Sequence, residues 1–334
     1  MIIIMLAKTI FIHRDLIEMA ALELHIPHKR ELVIALMGKG GTGKTFISLS
    51  LIQSLKRLGE AMIVADADPN RSLSRMLTSH YLGYKEEELQ ELPLITLAEK
   101  DFYEFHGLRP EQTYREFYST GFDQVKKFSI TPKDSFTKKY ARTLSDELAL
   151  MSVGTSALRI EELYSTRCSH ATLNPLKAWL ALCTNGVVVL DCGGGEDSGR
   201  FGLPIGTHVV IVVVEATPDS VAISEDIRAI DEELGIPVVY VLNKCLNHFP
   251  EVEAFESKYS NRIVGKIPFM PSIYGKNPLD VFDQVEGISN HILEGILSLK
   301  LSSPEERWAR VLRWQDRLQR QRELMKTQPF SFLA

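Results

Sequence analysis

From Glu31 onward the chain alternates short, wholly apolar runs with amphipathic stretches. Leu32 to Met37, Ala61 to Ala65, Val187 to Leu190, Val209 to Val214 and Val238 to Leu242 read as strands, and helices are predicted at Lys44 to Leu58 and Ser220 to Leu234. A strand that is apolar at every position has to be covered on both faces. The pattern therefore predicts an α/β fold: a predominantly parallel, doubly wound sheet with helices on either side. Between Ser79 and Ser145 the rhythm breaks into an aromatic-rich segment, with Tyr81, Phe102, Phe105, Phe117 and Phe128 among its rings. It reads as an insertion (79–145) with a small helical core of its own, inside one elaborated domain spanning 31–300. Ahead of that domain, residues 1–30 read as an N-terminal extension in which Leu16, Met19, Ala20 and Leu24 have helical spacing. After it, residues 301–334 read as a C-terminal amphipathic helix and tail, with Val311, Trp314, Leu318 and Met325 on one face.

Composition adds few constraints. The 334 residues, 45% hydrophobic and 24% charged, suit an ordinary globular protein, and a net charge of −5 gives no global reason to expect nucleic acid. Cys168, Cys183, Cys192 and Cys245 have no framework spacing, so reduced thiols in the cytoplasm are expected. No stretch is long enough to span a bilayer, and Met1 to Leu6 reads as a short strand rather than a targeting or membrane-surface segment.

The chemistry lies at strand ends. Gly38-Lys39-Gly40-Gly41-Thr42-Gly43-Lys44-Thr45 fits G-x-x-x-x-G-K-[ST] between a predicted strand and a predicted helix, with Phe46 completing the stretch. Glycines let backbone N–H groups wrap phosphates, the helix N-terminus adds its positive end, Lys44 reaches the β- and γ-phosphates, and the Thr45 hydroxyl takes a magnesium position. Asp66-Ala67-Asp68-Pro69-Asn70 follows the next strand, where a carboxylate can orient water on a γ-phosphate; an Asp-Pro turn with capping aspartates is the plainer alternative. Asp191, ahead of Cys192-Gly193-Gly194-Gly195, can hold magnesium through water, beside glycines that can move with the γ-phosphate.

With Lys39 at its second position, the loop resembles the deviant Walker A motif of the MinD, ParA and nitrogenase iron protein class. The resemblance implies that Lys39 crosses to the partner's nucleotide in an ATP sandwich homodimer. It extends over roughly 31–295, with Asp66 to Asn70 as switch I, Asp191 to Gly194 as switch II and Asn243-Lys244 as a base-binding element. By the same resemblance Lys39, Lys44 and Asp68 are catalytic, Asp68 placing the attacking water, while Thr45, Asp66 and Asp191 serve magnesium. Within the class, Asp66 to Asn70 and the stretch from Leu148 to Ser224 most resemble CooC-type maturation ATPases. That implies an ATPase in metallocentre maturation or remodelling of a client protein. A ParA- or MinD-like positioning or partition ATPase and a regulatory subunit of a larger complex are the alternatives.

Members of the CooC type carry C-x-C, where this chain has Cys168-Ser169-His170. Cys168 and His170 from two protomers could make a Cys2His2 set for zinc or nickel across a dimer axis; a buried thiol beside a surface histidine is the plainer reading. Leu246 stands where guanine-specific sites add an aspartate, so adenine is expected, with Asn243 against the purine and Pro268 wrapping it or simply turning the chain. The basic residues Lys126, Lys127, Lys133, Lys138, Lys139 and Arg142 read as a solvated face, and neither nucleic acid nor membrane is an expected partner.

Overall fold

The computed structural model describes residues 31–68, 70–83, 92–95, 98–107, 114–129, 131–153, 174–200, 202–245, 250–272 and 275–327. The N-terminal extension lies outside them, as do Cys168 and His170, so the expected shared metal site falls outside the described residues.

The strands are β1 (Glu31–Met37), β2 (Met62–Ala67), β3 (Phe128–Ser129), β4 (Ala141–Ser145), β5 (Leu148–Ser152), β6 (Cys183–Cys192), β7 (Val209–Glu215), β8 (Val238–Cys245) and β9 (Ile263–Pro268). Eight lie in the order β4-β5-β2-β6-β1-β7-β8-β9, and β3 pairs beside β6. Among the described residues every pairing is parallel except β4 with β5. This is the doubly wound sheet the apolar runs predict. In β1 the cause is visible residue by residue: Val33, Ala35 and Met37 enter the core on one face, and Leu32, Ile34 and Leu36 enter the core on the other. Each such buried side chain contributes roughly 1.5–3 kcal/mol.

The helices flanking the site are α1 (Lys44–Arg57) and α2 (Ser72–Leu82). Between β2 and β6 come the short α3 (Glu99–Phe105), α4 (Tyr114–Tyr118) and α5 (Ser135–Tyr140), then α6 (Asn174–Leu182). Among the described residues the rings of this stretch do not form a core of their own. Phe102, Phe117 and Phe136 pack edge-on, Phe117 meets Trp308, and all join the cluster that holds Val33 and Val188. The segment expected as a helical insertion also starts inside α2 and ends in β4, which widens the main sheet by a hairpin. An antiparallel strand of pattern buried-exposed-exposed-buried has too little apolar periodicity to be seen in sequence.

The chain continues with α7 (Asp197–Arg200), a 3-10 turn at Leu203–Gly206, α8 (Pro218–Glu233), α9 (Pro250–Tyr259), α10 (Glu286–Leu297) and α11 (Pro304–Thr327). α11 opens on a capping box: Ser303 N–H donates to Glu306 and the Ser303 hydroxyl accepts from Glu306 N–H, with Pro304 at the first helical position. Its packing face differs from the expected one. Arg307, Trp308, Arg310 and Val311 are buried, while Trp314 and Leu318 are half-buried and the Met325 side chain lies outside the described set. The arginines are paired: Arg307 is ion-paired with Glu31, donates to the Cys183 carbonyl at 2.5 Å and the Ala181 carbonyl at 3.3 Å, and lies 2.5 Å from His208. His208 is pushed down to about 2 by burial, then by Arg307 and Arg310, so it is a neutral ring whose Nδ1 accepts from Val33 N–H at 2.8 Å.

Candidate functional site

β1 is central, with β6 on one side and β7 on the other, so its carboxyl end is where the sheet reverses direction and opens a crevice. The glycine loop 38–43 occupies that crevice. Gly38 has φ 141°, and a side chain there would meet the Val213 carbonyl of β7 at 2.4 Å, so the loop passes where only glycine fits. Gly43, at φ 97°, stands at the N-terminus of α1, which has no side-chain cap of its own. Open amides at a helix start, preceded by a wrapped glycine loop, form an anion-binding concavity.

The Lys44 ammonium lies over this loop, donating to the carbonyls of Gly38 at 3.2 Å and Lys39 at 3.1 Å. It is buried, and burial holds its pKa below the usual lysine value against the opposing charges of Asp191 and Asp68. Thr45 donates its hydroxyl to Asp191 Oδ2 at 2.8 Å. Asp191 is buried at the end of β6, and its Oδ1 has no hydrogen-bond partner among the described residues. Burial, then the neighbouring Asp66 charge, pushes its carboxyl up to about 7. A hydroxyl and a carboxylate with one unsatisfied oxygen form a hard-oxygen donor pair, the set that suits magnesium.

Asp66 is in register with Asp191 across β2 and β6, as expected of two carboxylates at one sheet end. Its oxygens, however, accept the backbone N–H groups of Asp68 at 3.1 Å and Ser74 at 2.7 Å. It therefore acts as a remote cap for α2, whose own N-cap, Arg71, is left-handed and caps nothing. This capping stands beside the magnesium role expected of Asp66. Asp68 is less buried, and its Oδ1 accepts from Asn70 N–H at 2.8 Å. The Asn243 amide donates to the Thr42 carbonyl at 2.7 Å and so supports the loop, beside the purine contact expected of it. Lys244, in the left-handed region at φ 55°, donates to the Gly41 carbonyl at 2.5 Å and pairs with Glu215 at 3.2 Å. Pro268 is exposed and in register with Cys245, next to exposed Phe269 and half-buried Met270, and Met270 packs with Phe46 against the small apolar cluster of Val281, Phe282 and Val285.

Lys39 reaches sideways to Asp219, 3.4 Å away at the start of α8. Sequence reading missed both Asp219 and Glu215, although Glu215-Ala216-Thr217-Pro218-Asp219 ends one strand and opens the next helix with Thr217 as cap. The signal was their place at the end of β7, beside the strand that carries the loop. The loop is also stitched to the glycines after Asp191, since Gly195 N–H donates to the Gly38 carbonyl at 3.0 Å. A side chain at Gly194 would meet the backbone of Gly40 at 3.1 Å. Among the described residues no group of three or more His, Cys, Asp or Glu side chains is placed to hold a metal, and no helix is long and apolar enough to cross a membrane.

Comparison with known proteins agrees with this geometry. The profile of the CobQ/CobB/MinD/ParA nucleotide binding domain matches residues 33–277. Two uncharacterized ATP-binding proteins of Methanocaldococcus jannaschii are each 26% identical to this chain. One aligns over 70% of the chain and 87% of its own length, the other over 78% and 97%. Among solved structures, a plasmid partition protein from Borrelia burgdorferi B31 bound to AMPPNP shares the fold, with a TM-score of 0.53 at 16% identity, covering 80% of this chain and 99% of that one.

Proposed function

The chain belongs to the CobQ/CobB/MinD/ParA nucleotide-binding domain family, and from that premise we propose that it is a magnesium-dependent ATPase that forms a nucleotide-gated dimer and acts on a protein client. The observation that carries this reading is the convergence of Lys44, Thr45 and Asp191 on one uncapped helix start. The loop amides and Lys44 hold the β- and γ-phosphates, exchanging the lysine's present carbonyl partners for phosphate oxygens. Thr45 and Asp191 would hold magnesium, which neutralises phosphate charge when bound. Asp68, on the loop after β2, orients the attacking water by accepting a hydrogen bond from it. Lys39 leaves its exposed pair with Asp219 and reaches a partner's nucleotide, as the resemblance to the deviant Walker A class implies. Asn243 and Lys244 fix the loop's outer wall, and Phe46 and Pro268 flank the base.

The test is calorimetric titration with ATP in magnesium, repeated in EDTA. Binding in magnesium, lost in Lys44→Ala, supports the assignment; wild-type affinity in that variant overturns it.

Three biological roles are compatible with such an engine. Resemblance to CooC-type ATPases supports client maturation or remodelling, and the fold shared with the Borrelia partition protein supports positioning. Retention on DNA or vesicles only in the ATP state would select the second; a bound zinc or nickel ion lost with Cys168→Ser would select the first. Stable copurification with a large complex, independent of nucleotide, would select a regulatory subunit.

A further inference from the structure

The segment that follows Asp191 runs from its glycines into α7 and the turn at Gly202, and it is gripped on two sides. On one side Gly199 faces Asp231 of α8: a methyl group there would meet Asp231 Oδ1 at 3.3 Å and Met37 at 3.4 Å. On the other side Gly202, left-handed at φ 66°, faces Trp314 of α11, and a methyl group would meet the indole at 2.6 Å. The two glycines belong to one tight turn, closed by Gly202 N–H donating to the Gly199 carbonyl at 2.7 Å.

Both grips carry polar groups left without hydrogen bonds. Asp231 is fully buried, and neither of its carboxyl oxygens has a partner among the described residues. The Trp314 indole N–H is buried and likewise without an acceptor. Buried polar groups are ordinarily paired, and each one left unpaired costs about 1–3 kcal/mol. Two such groups lie against this one glycine turn. The other end of the segment is tied to the nucleotide loop by the Gly195 to Gly38 bond.

The geometry points to a relay in which nucleotide at the loop shifts residues 193–200 and Gly202, and Trp314 passes that shift to the exposed outer half of α11. It rests on the nucleotide reading above and adds an output surface to it. The direction follows from the contacts. The first part of α11 is locked to the sheet by Arg307 and Val311, so a displaced turn at Gly202 can act only on the part beyond Trp314. There Arg317 and Arg320 are exposed, held by the surface pairs Arg317–Glu233 and Arg320–Asp316, which are weak enough to exchange.

The test is hydrogen exchange of the full chain, alone and with AMPPNP and magnesium, with binding followed in parallel by calorimetry. Peptides within 304–327 should change their exchange rate by at least about threefold on binding. In Trp314→Phe that change should fall to less than half while AMPPNP affinity stays within about twofold; Trp314→Tyr replaces it if the phenylalanine variant melts early. Binding with no change in 304–327 overturns the relay and leaves the nucleotide reading standing. A change that survives undiminished in the Trp314 variant, as simple burial of α11 in a dimer would give, also overturns it. Absence of calorimetric binding overturns the nucleotide reading and the relay with it.

Discussion

Thr45 Oγ1 donates to Asp191 Oδ2 across 2.8 Å, joining the first turn of α1 to the end of β6, while the second Asp191 oxygen has no hydrogen-bond partner among the described residues. Asp191→Asn keeps the shape and removes the charge that attracts a divalent ion. ATP affinity in magnesium should fall at least about tenfold, with affinity in EDTA changed by less than about threefold. Calorimetry in the two buffers measures both, and equal losses in both would refute the assignment.

Asp68 differs from Asp66 in being only half-buried, with the single Asn70 N–H on its Oδ1. Asp68→Ala should lower single-turnover hydrolysis by roughly 10²- to 10³-fold and leave ATP bound, so that the dimer persists in sedimentation with ATP and magnesium. Hydrolysis at the wild-type rate would transfer the water-placing role to Asp191.

Lys39 pairs only with an exposed partner, Asp219, which is 81% accessible at the side chain. Lys39→Ala should therefore cost less than about 1 kcal/mol of stability and spare nucleotide binding, yet weaken ATP-dependent dimerisation. Normal dimerisation with AMPPNP in this variant would exclude a crossing lysine.

Burial pushes Asp231 up to about 8, so the folded chain holds a proton that the unfolded chain gives up near pH 4. The titratable group facing it is Cys192, whose thiol is raised well above its usual range and stays neutral. Between about pH 4 and pH 8 the native state binds more protons, so stability falls as pH rises and levels off beyond, by a few kcal/mol at most. Asp231→Asn should flatten much of the decline in melting temperature between pH 5 and pH 8. Glu31, Asp66 and Asp191 are raised as well, the last two to about 6 and about 7, and carry the same sign, whereas His106 and His208, held down by burial, carry the opposite sign below about pH 6.5. An unchanged pH slope in the variant would mean that Asp231 is ionised in the fold.

Arg307→Met removes five donors from a site that is fully buried. The carbonyls of Ala181 and Cys183 and the Glu31 carboxylate lose their partner, at a cost of about 3 kcal/mol. Urea denaturation should show the shift in midpoint; a loss below about 1 kcal/mol would show that water replaces the guanidinium.

Strands β1, β2, β6, β7 and β8 were legible because a strand covered on both faces is apolar at every position, and the loop was legible because wrapping phosphate leaves little choice beyond glycine, lysine and threonine. β4 was not, because an edge strand with Arg142 and Thr143 exposed has no such constraint. The packing face of α11 differs from the one the pattern predicts because hydrophobicity ranks arginine as a surface residue, whereas Arg307 is buried against carbonyls from α6 and β6 and an acid from β1. Asp66 and Asn243 were read as ligand groups by type; their bonds to backbone N–H and C=O show that a polar side chain beside a site can equally be its scaffold. Glu215 and Asp219 were missed since their relation to Lys244 and Lys39 exists only across neighbouring elements.

The clasp of Arg307 on Glu31, Ala181 and Cys183 also governs the order in which the molecule can assemble. A nascent chain that has emerged only as far as Leu297 already carries every strand of the sheet, yet the amino end of β1 and the start of β6 still lack the guanidinium that satisfies them. Contacts between distant parts of a chain are slow to form because loop closure precedes any gain. Folding on the ribosome is thus gated by a residue made late, and until α11 docks, the aromatic surface that Trp308 covers stays open to chaperones and to aggregation.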